Sequence, residues 1–314
     1  MQSADNNDGS IRIFTTEDIV AAAEIERSAF GDKAESTETL FVISRVGDLL
    51  GIKLHGKLIA SKAVLYGTQC AISASTCVDR QSQGLGYGTQ LALTMEQNAK
   101  SMGLREVFAI VPPKNGPQLS IYLEKLGWRI AAYKAQYYPD KGDYGLGGDR
   151  FIIAKTLSET TPIVGNGAGS QSEPVSAFAS RHEVATARKI ETQYRRQPSS
   201  VFFLGSMDLV GRIYLERSAK KVVGFFGALR GKVRDAYIHG PFTDKAHCGG
   251  LLKEAEAITK AWGANTIWSV VPEYDRKTIS DLEDAGYAII EKACGLCDGS
   301  DLLRFSKDLH VSAE

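Results

Sequence analysis

Leu91, Glu96, Lys100, Gly103 and Val111-Pro112 recur 160 positions later as Leu251, Glu256, Lys260, Gly263 and Val271-Pro272. A helical run, the glycine that ends it and a buried strand thus repeat in one ungapped register, the pattern a duplication leaves. Upstream, "AKKVVGFFGAL" resembles "HGKLIASKAVL" at a slightly different offset, as a changed loop length produces. Between the copies, Ser158 to Pro174 reads "SETTPIVGNGAGSQSEP", rich in Gly, Ser, Pro and Thr without apolar periodicity, which is linker composition. The chain of 314 residues therefore divides into a domain over 1–157, a linker over 158–174 and a second domain over 175–314.

Lys plus Arg and Asp plus Glu are equal at 37 each, so the basic surplus that phosphate backbones require is missing and nucleic acid is not an expected partner. No apolar run is long enough to cross a bilayer, and "MQSADNNDGSIRIF" has neither the basic nor the apolar segment of a secretory signal; a cytoplasmic location without membrane attachment is expected. Five cysteines are too few and too scattered for a disulfide framework. Cys294-Gly-Leu-Cys297 has the spacing of half a zinc site, but no second Cys or His pair completes it, so no metal is expected.

In the first half, "TTEDIVAAAEIERSAF" begins with a Thr cap and an acidic first turn and continues as an amphipathic helix. Two strands around His55-Gly56-Lys57 follow, then a third, "QCAISASTCV". After a helix from about Gly88 to Met102 come the strand "EVFAIVPP", the short helix "NGPQLSIYLEKLG" and a closing hairpin from "WRIAAYKAQYY" to "RFIIAKTL". This order predicts a mixed α/β fold (α+β, mixed sheet) in each half, with "FFGAL" of the second half as a sticky strand able to pack the domains together.

Between the third strand and its helix, Gln81 to Thr89 reads "QSQGLGYGT". A glycine-rich turn from a strand into a helix presents unpaired N–H groups at the positive end of the helix dipole, a site for phosphate or pyrophosphate. Thr89 at the sixth position, and no clear acidic residue about 20 positions on, argue against a dinucleotide fingerprint. No Gly-Lys-Ser/Thr follows, so it is not a Walker loop.

With the second motif, Asn115 to Trp128, the first half resembles the GCN5-related N-acetyltransferase (GNAT) superfamily. Gln81, Gly84 and Gly86 match that family's Gln/Arg-x-x-Gly-x-Gly/Ala acetyl-CoA loop; Asn115, Tyr122 and "YLEKLGW" match its second motif, with Trp128 in place of Phe. The closing "AQYYPDKGDYGLGGDRFIIAK" resembles the end of the ribosomal-protein-alanine acetyltransferase branch. The resemblance implies two tandem acyl-CoA N-acyltransferase folds and an acetyl or other acyl group passed from acyl-CoA to a primary amine by direct attack. The acceptor is a peptide or protein amine, or a small metabolite or antibiotic amine; a non-catalytic acyl-CoA-binding scaffold is the reading from another class.

On that resemblance Gln81, Ser82, Gln83, Gly84, Leu85, Gly86, Tyr87 and Gly88 hold the pyrophosphate. Ser75, Thr76, Cys77 and Val78 offer backbone groups to pantetheine, one N–H polarising the thioester oxygen. Asn115 bonds the cofactor arm and Tyr122 is the general acid. The branch's basic Glu is replaced by Ile110, so no base is named; Ser73 and Ser75 order at most a water, and Asp143 and Asp149 are candidates for orienting the amine. In the second half, the 160-residue offset sets Pro241, Asp244 and Ala246 against Gln81, Gly84 and Gly86. One deletion sets Tyr274 and Asp281 against Asn115 and Tyr122. That half is expected to be a degenerate copy that shapes the acceptor site or stabilises the first domain; an oligomer is possible.

Overall fold

The computed structural model describes residues 10–12, 15–31, 34–135, 148–157, 181–195, 199, 201–218, 221–231, 234–243, 245–297 and 299–309. The linker, Asp143 and the Tyr-Tyr-Pro stretch lie outside these residues.

Each half folds a mixed sheet with a parallel pair near its middle. The first contains β1 (Ser10–Arg12), β2 (Asp48–Leu54), β3 (Lys57–Tyr66), β4 (Cys70–Val78), β5 (Glu106–Val111), β6 (Arg129–Lys134) and β7 (Arg150–Thr156), in the order β1-β2-β3-β4-β5-β7-β6. The second contains β8 (Arg212–Ser218), β9 (Lys221–Arg230), β10 (Asp235–Thr243), β11 (Thr266–Pro272), β12 (Ala288–Cys297) and β13 (Ser300–Asp308), in the order β8-β9-β10-β11-β13-β12. Among the described residues, only β4/β5 and β10/β11 pair in parallel. Apart from β1, the two orders are identical, strand for strand.

The helices repeat too. α1 (Thr16–Phe30), α2 (Thr37–Val46), α3 (Tyr87–Ser101) and α4 (Gly116–Leu119, running on as a π-helical turn over Ser120–Lys125) answer to α5 (Arg181–Glu191), α6 (Val201–Val210), α7 (Lys245–Ala261) and α8 (Arg276–Asp284). Gly103 and Gly263 end α3 and α7 with φ of 74° and 80°, and Gly127 and Gly286 follow α4 and α8 with φ of 68° and 86°. A side-chain constellation recurs as well: Glu96 accepts from Trp128 Nε1 at 2.6 Å and Lys155 Nζ at 2.7 Å. In the second half Glu256 accepts from Lys307 at 2.9 Å, and that ammonium lies over the Tyr287 ring.

The structure corrects the offsets. Cys70 pairs with Glu106, and Asp235 with Thr266, so the stretch between these points is five residues shorter in the second half. Pro241 lies within β10, and α7 begins two residues after that strand ends; residues 79–86 have no counterpart loop. The helix caps are Asn115, accepting from Gln118 N, and Asp275, accepting from Thr278 N, so Asn115 answers to Asp275 and not to Tyr274. Trp128 N bonds Tyr122 O where Tyr287 N bonds Leu282 O, so Tyr122 answers to Leu282, an apolar residue, and not to Asp281. The one extra residue of the first half is absorbed as the π-helical turn that carries Tyr122, the usual form of a one-residue insertion in a helix.

Period-2 alternation divides the first sheet's faces. Ala63 and Leu65 of β3 join α1 and α2 in one core, while Val64 and Tyr66 join α3 and the α4 turn in another. The first core does not stop at the first half: Phe203, Met207 and Val210 of α6, Trp268 of β11 and Leu296 of β12 pack into it with Phe41 and Ile72. The halves therefore meet through α2, α6 and β12, and of "FFGAL", which lies on β9, an interior strand of its own sheet, Leu229 reaches this shared core. α2 is covered on both sides, Glu38 to Ser44 all being buried.

Candidate functional site

The site begins with a bulge. Ala63 faces Ser75 across the ladder and Val64 faces Ser73, leaving Ala74 as the extra residue of β4. A bulge lets neighbouring residues leave strict alternation. Ala74 joins the α1 core and Ser75 bonds Glu26 on that side, whereas Ser73 and Thr76 bond Lys62, on the side of Tyr122. Past Ser73–Ala109 the parallel pairing of β4 with β5 ends, and the strands part.

A cleft of about 510 Å³ runs through that gap. On one side it is walled by the glycine loop and the first turn of α3. Gly84 and Gly86 have φ of 80° and 91°, left-handed values that residues with a Cβ adopt poorly. Gly86 is the N-cap of α3 and brings no side-chain cap, so the first amides of the helix stay open to an anion. Ser75, Thr76, Val78, Ser82, Gln83, Gly84, Gly86, Tyr87, Gly88 and Asn115 all line this cleft. Cys77, Gln81 and Leu85 do not: Cys77 is buried, and Leu85 is exposed. Burial, reinforced by Glu26 and Glu35, lifts the Cys77 thiol well above its ordinary range, so it is no ready nucleophile. Asn115 lines the cleft while its Oδ1 caps α4. Asp149 accepts from the Tyr133 hydroxyl at 2.7 Å and does not line the cleft.

Tyr122 sits one side chain back. It is 2% exposed, packs its ring 4.4 Å from that of Trp128, and donates to Ser73 Oγ at 3.4 Å. Ser73 lines the cleft. Burial raises the Tyr122 phenol, but the Lys62 ammonium 2.8 Å away together with the Ser73 and Thr76 hydroxyls outweighs it, and the net direction is down.

The opposite wall was not foreseen. Glu26, Phe30 and Glu35 line the cleft from α1 and the segment after it. Glu26 is fully buried, accepts from the Ser75 hydroxyl, and takes the Glu35 N–H at 3.0 Å. Burial drives its carboxyl up to about 7, against the lowering by those two bonds. A signal was present: Glu26 follows Ile19, Ala22 and Ala23 at helical spacing, a carboxylate on an apolar stripe. Lys62 gave a parallel signal, since it shares its strand face with Ala60 and Val64.

The matching gap in the second half is filled. Arg195 donates to Val270 O at 3.3 Å, pairs with Glu38 of α2, and lies over the Phe242 ring. Val270 answers to Ile110, which lines the first cleft. Glu191, Ser199, Tyr237 and His239 complete this buried polar cluster. No helix among the described residues is long and apolar enough to cross a membrane, and among those residues no group of three His, Cys, Asp or Glu side chains is placed to hold a metal ion.

Residues 18–128 match the acetyltransferase (GNAT) family model, so the first half carries a GNAT acetyltransferase domain. No curated protein matches the sequence. Among solved structures, the ribosomal-protein-S18-alanine N-acetyltransferase of Escherichia coli is 22% identical, with a TM-score of 0.43, over 50% of this chain and 97% of its own. Ard1 of Thermoplasma volcanium is 14% identical, with a TM-score of 0.42, over 48% and 97% respectively. A Bacillus subtilis acetyltransferase in complex with CoA is 22% identical, with a TM-score of 0.33, over 35% and 77%.

Proposed function

We propose that residues 1–157 form an acyl-CoA-dependent N-acyltransferase domain, that 158–174 link it to the rest, and that 175–314 form a degenerate copy that binds no acyl-CoA. One observation carries the reading. A single cleft joins an uncapped, glycine-rich helix N-terminus on one side of the sheet to a buried carboxylate of raised pKa on the other.

Acetyl-CoA, or another acyl-CoA, is the donor. Its pyrophosphate rests on the amides from Gly84 to Gly88, and its pantetheine arm runs along Ser75–Val78, whose backbone is released from β5 by the splay. A strand N–H there polarises the thioester oxygen. The acceptor amine enters from the Glu26 side and gives its proton to Glu26, through Ser75 or directly; a carboxylate of pKa near 7 is suited to accept it at neutral pH. The amine nitrogen attacks the thioester carbon, the C–S bond breaks, and the thiolate takes a proton that originates on Tyr122 and passes through Ser73. The acceptor is a primary amine, and its reception beside Glu26 and Glu35 favours one that arrives as a cation, sheds one proton to solvent to become the nucleophile and gives the second to Glu26.

Native mass spectrometry of the chain titrated with acetyl-CoA tests the donor side. One cofactor per chain is expected, with at least about tenfold weaker binding in Gly86→Asp, where a carboxylate meets the pyrophosphate and the left-handed backbone is strained. Two per chain would contradict the degenerate second half, and none would sink the acyl-CoA assignment.

A further inference from the structure

Lys62 is fully buried on β3, and among the described residues no carboxylate forms an ion pair with it. An ammonium has three donors and no acceptor. Lys62 Nζ has three hydroxyl oxygens around it: Ser73 Oγ at 2.7 Å, Thr76 Oγ1 at 2.8 Å and Tyr122 Oη at 2.8 Å. The count matches the charged form. Tyr122 accepts from Lys62 and donates onward to Ser73, and Ser73 accepts from both, so its own hydrogen turns either to Thr76 Oγ1 at 3.3 Å or to the cleft that Ser73 lines.

A buried cation hydrogen-bonded to hydroxyls and lying over the Tyr122 ring, with no carboxylate beside it, is expensive unless something gains from it. The bulge at Ala74 is what turns Thr76 toward Lys62, so the same backbone device that opens the cleft completes the ammonium's shell. The sequence resemblance assigned no role to this lysine.

Resting on the acyltransferase reading, we infer that Lys62 is a positioning residue for leaving-group protonation, its ammonium aligning Tyr122 and Ser73 as a relay that opens on the cleft. When the C–S bond breaks and its electron pair stays on sulfur, the Ser73 hydroxyl proton goes to sulfur. The Tyr122 proton goes to Ser73 Oγ, and the phenolate left behind is neutralised by Lys62. Solvent returns a proton to Tyr122 and removes the one that Glu26 took from the amine, so the cycle balances. The lowered Tyr122 phenol agrees with this arrangement. The other titratable groups nearby are Cys77 on β4, whose thiol stays protonated, Glu26 and Glu35 beyond it on the α1 side, and Glu96, engaged by Trp128 and Lys155.

The test uses the full chain and two readouts. Ultraviolet difference titration follows phenolate formation without any substrate. One tyrosine of the wild type should ionise below the rest, vanish in Tyr122→Phe, and move up by at least about one pH unit in Lys62→Met. Thiol release from acetyl-CoA with hydroxylamine, a small amine that needs no general base, follows the relay. Lys62→Met should lower kcat about tenfold or more and shift its alkaline limb upward, with KM for acetyl-CoA within threefold. Identical titrations of wild type and Tyr122→Phe would overturn the pairing, and that comparison stands even if Lys62→Met does not fold. An unmoved alkaline limb in a folded Lys62→Met would overturn the relay. A wild type that binds no acetyl-CoA would count against the acyltransferase reading instead, and the substrate-free titration would still decide the pairing.

Discussion

Glu26→Gln is expected to lower kcat/KM for amine acetylation by about 10²–10⁴-fold while acetyl-CoA affinity stays within a few-fold, because a positioned base contributes on that scale and Glu26 stands on the far wall from the glycine loop. The wild-type kcat/KM should rise with pH through about 7, as Glu26 loses its proton, and then level until the Tyr122 hydroxyl ionises. The Gln variant should lack that limb. Stability provides an independent reading of the same group. The folded-state value, about 7, lies above the ordinary 4.5, so the folded chain holds this proton more tightly than the unfolded chain. The associated stability is fully present below about 4.5 and is lost as pH rises through about 7. For a fully buried group with this shift the loss is on the order of 3 kcal/mol, and Glu26→Gln should not show it. Denaturant unfolding of both proteins at pH 5 and pH 8 would measure it. An activity within threefold of wild type, with the limb near pH 7 intact, would remove Glu26 from the mechanism.

The second large effect concerns the seam between the halves. Arg195→Met leaves Glu38 as a buried carboxylate without its guanidinium and should cost about 3–5 kcal/mol. Both side chains are almost wholly buried, 3% and 7% exposed. Burial already pushes the Glu38 carboxyl up, and Arg195 is the largest influence holding it down. Adding Glu38→Gln to Arg195→Met should recover much of the loss, since the penalty comes from the orphaned charge more than from the missing bond. Urea midpoints of the two single variants and the double variant make the comparison. If Arg195→Met unfolds within about 1 kcal/mol of the wild type, the ion pair does not hold the halves together.

The duplication was legible because α3/α7, their terminal glycines and β5/β11 share one ungapped register. The two misplaced correspondences arise where length changed. Five residues are lost before α7, and the extra residue near Tyr122 is stored as a π-helical turn, so no single offset spans both. The glycine loop and Asn115 were legible because their roles rest on local backbone geometry: two left-handed glycines and a cap. Glu26 and Lys62 were not identified, although each interrupts an apolar pattern. Their partners Ser75 and Tyr122 lie 49 and 60 positions away and meet them only across the bulged sheet.

By itself the sequence determined that there are two related α/β units, that the first carries a glycine loop feeding a helix and a capped turn with Tyr122, and that the second lacks the glycine loop and the tyrosine. These follow from local spacing, which the chain carries in any conformation. Tertiary structure decided the chemistry between those pieces. It parted β4 from β5, set a buried carboxylate and a buried ammonium on opposite faces of one bulge, and filled the second gap with Arg195 drawn to Glu38 of the other half. Burial shifts a carboxyl or a phenol only once the surrounding side chains have excluded water, and those side chains come from segments far apart in the chain.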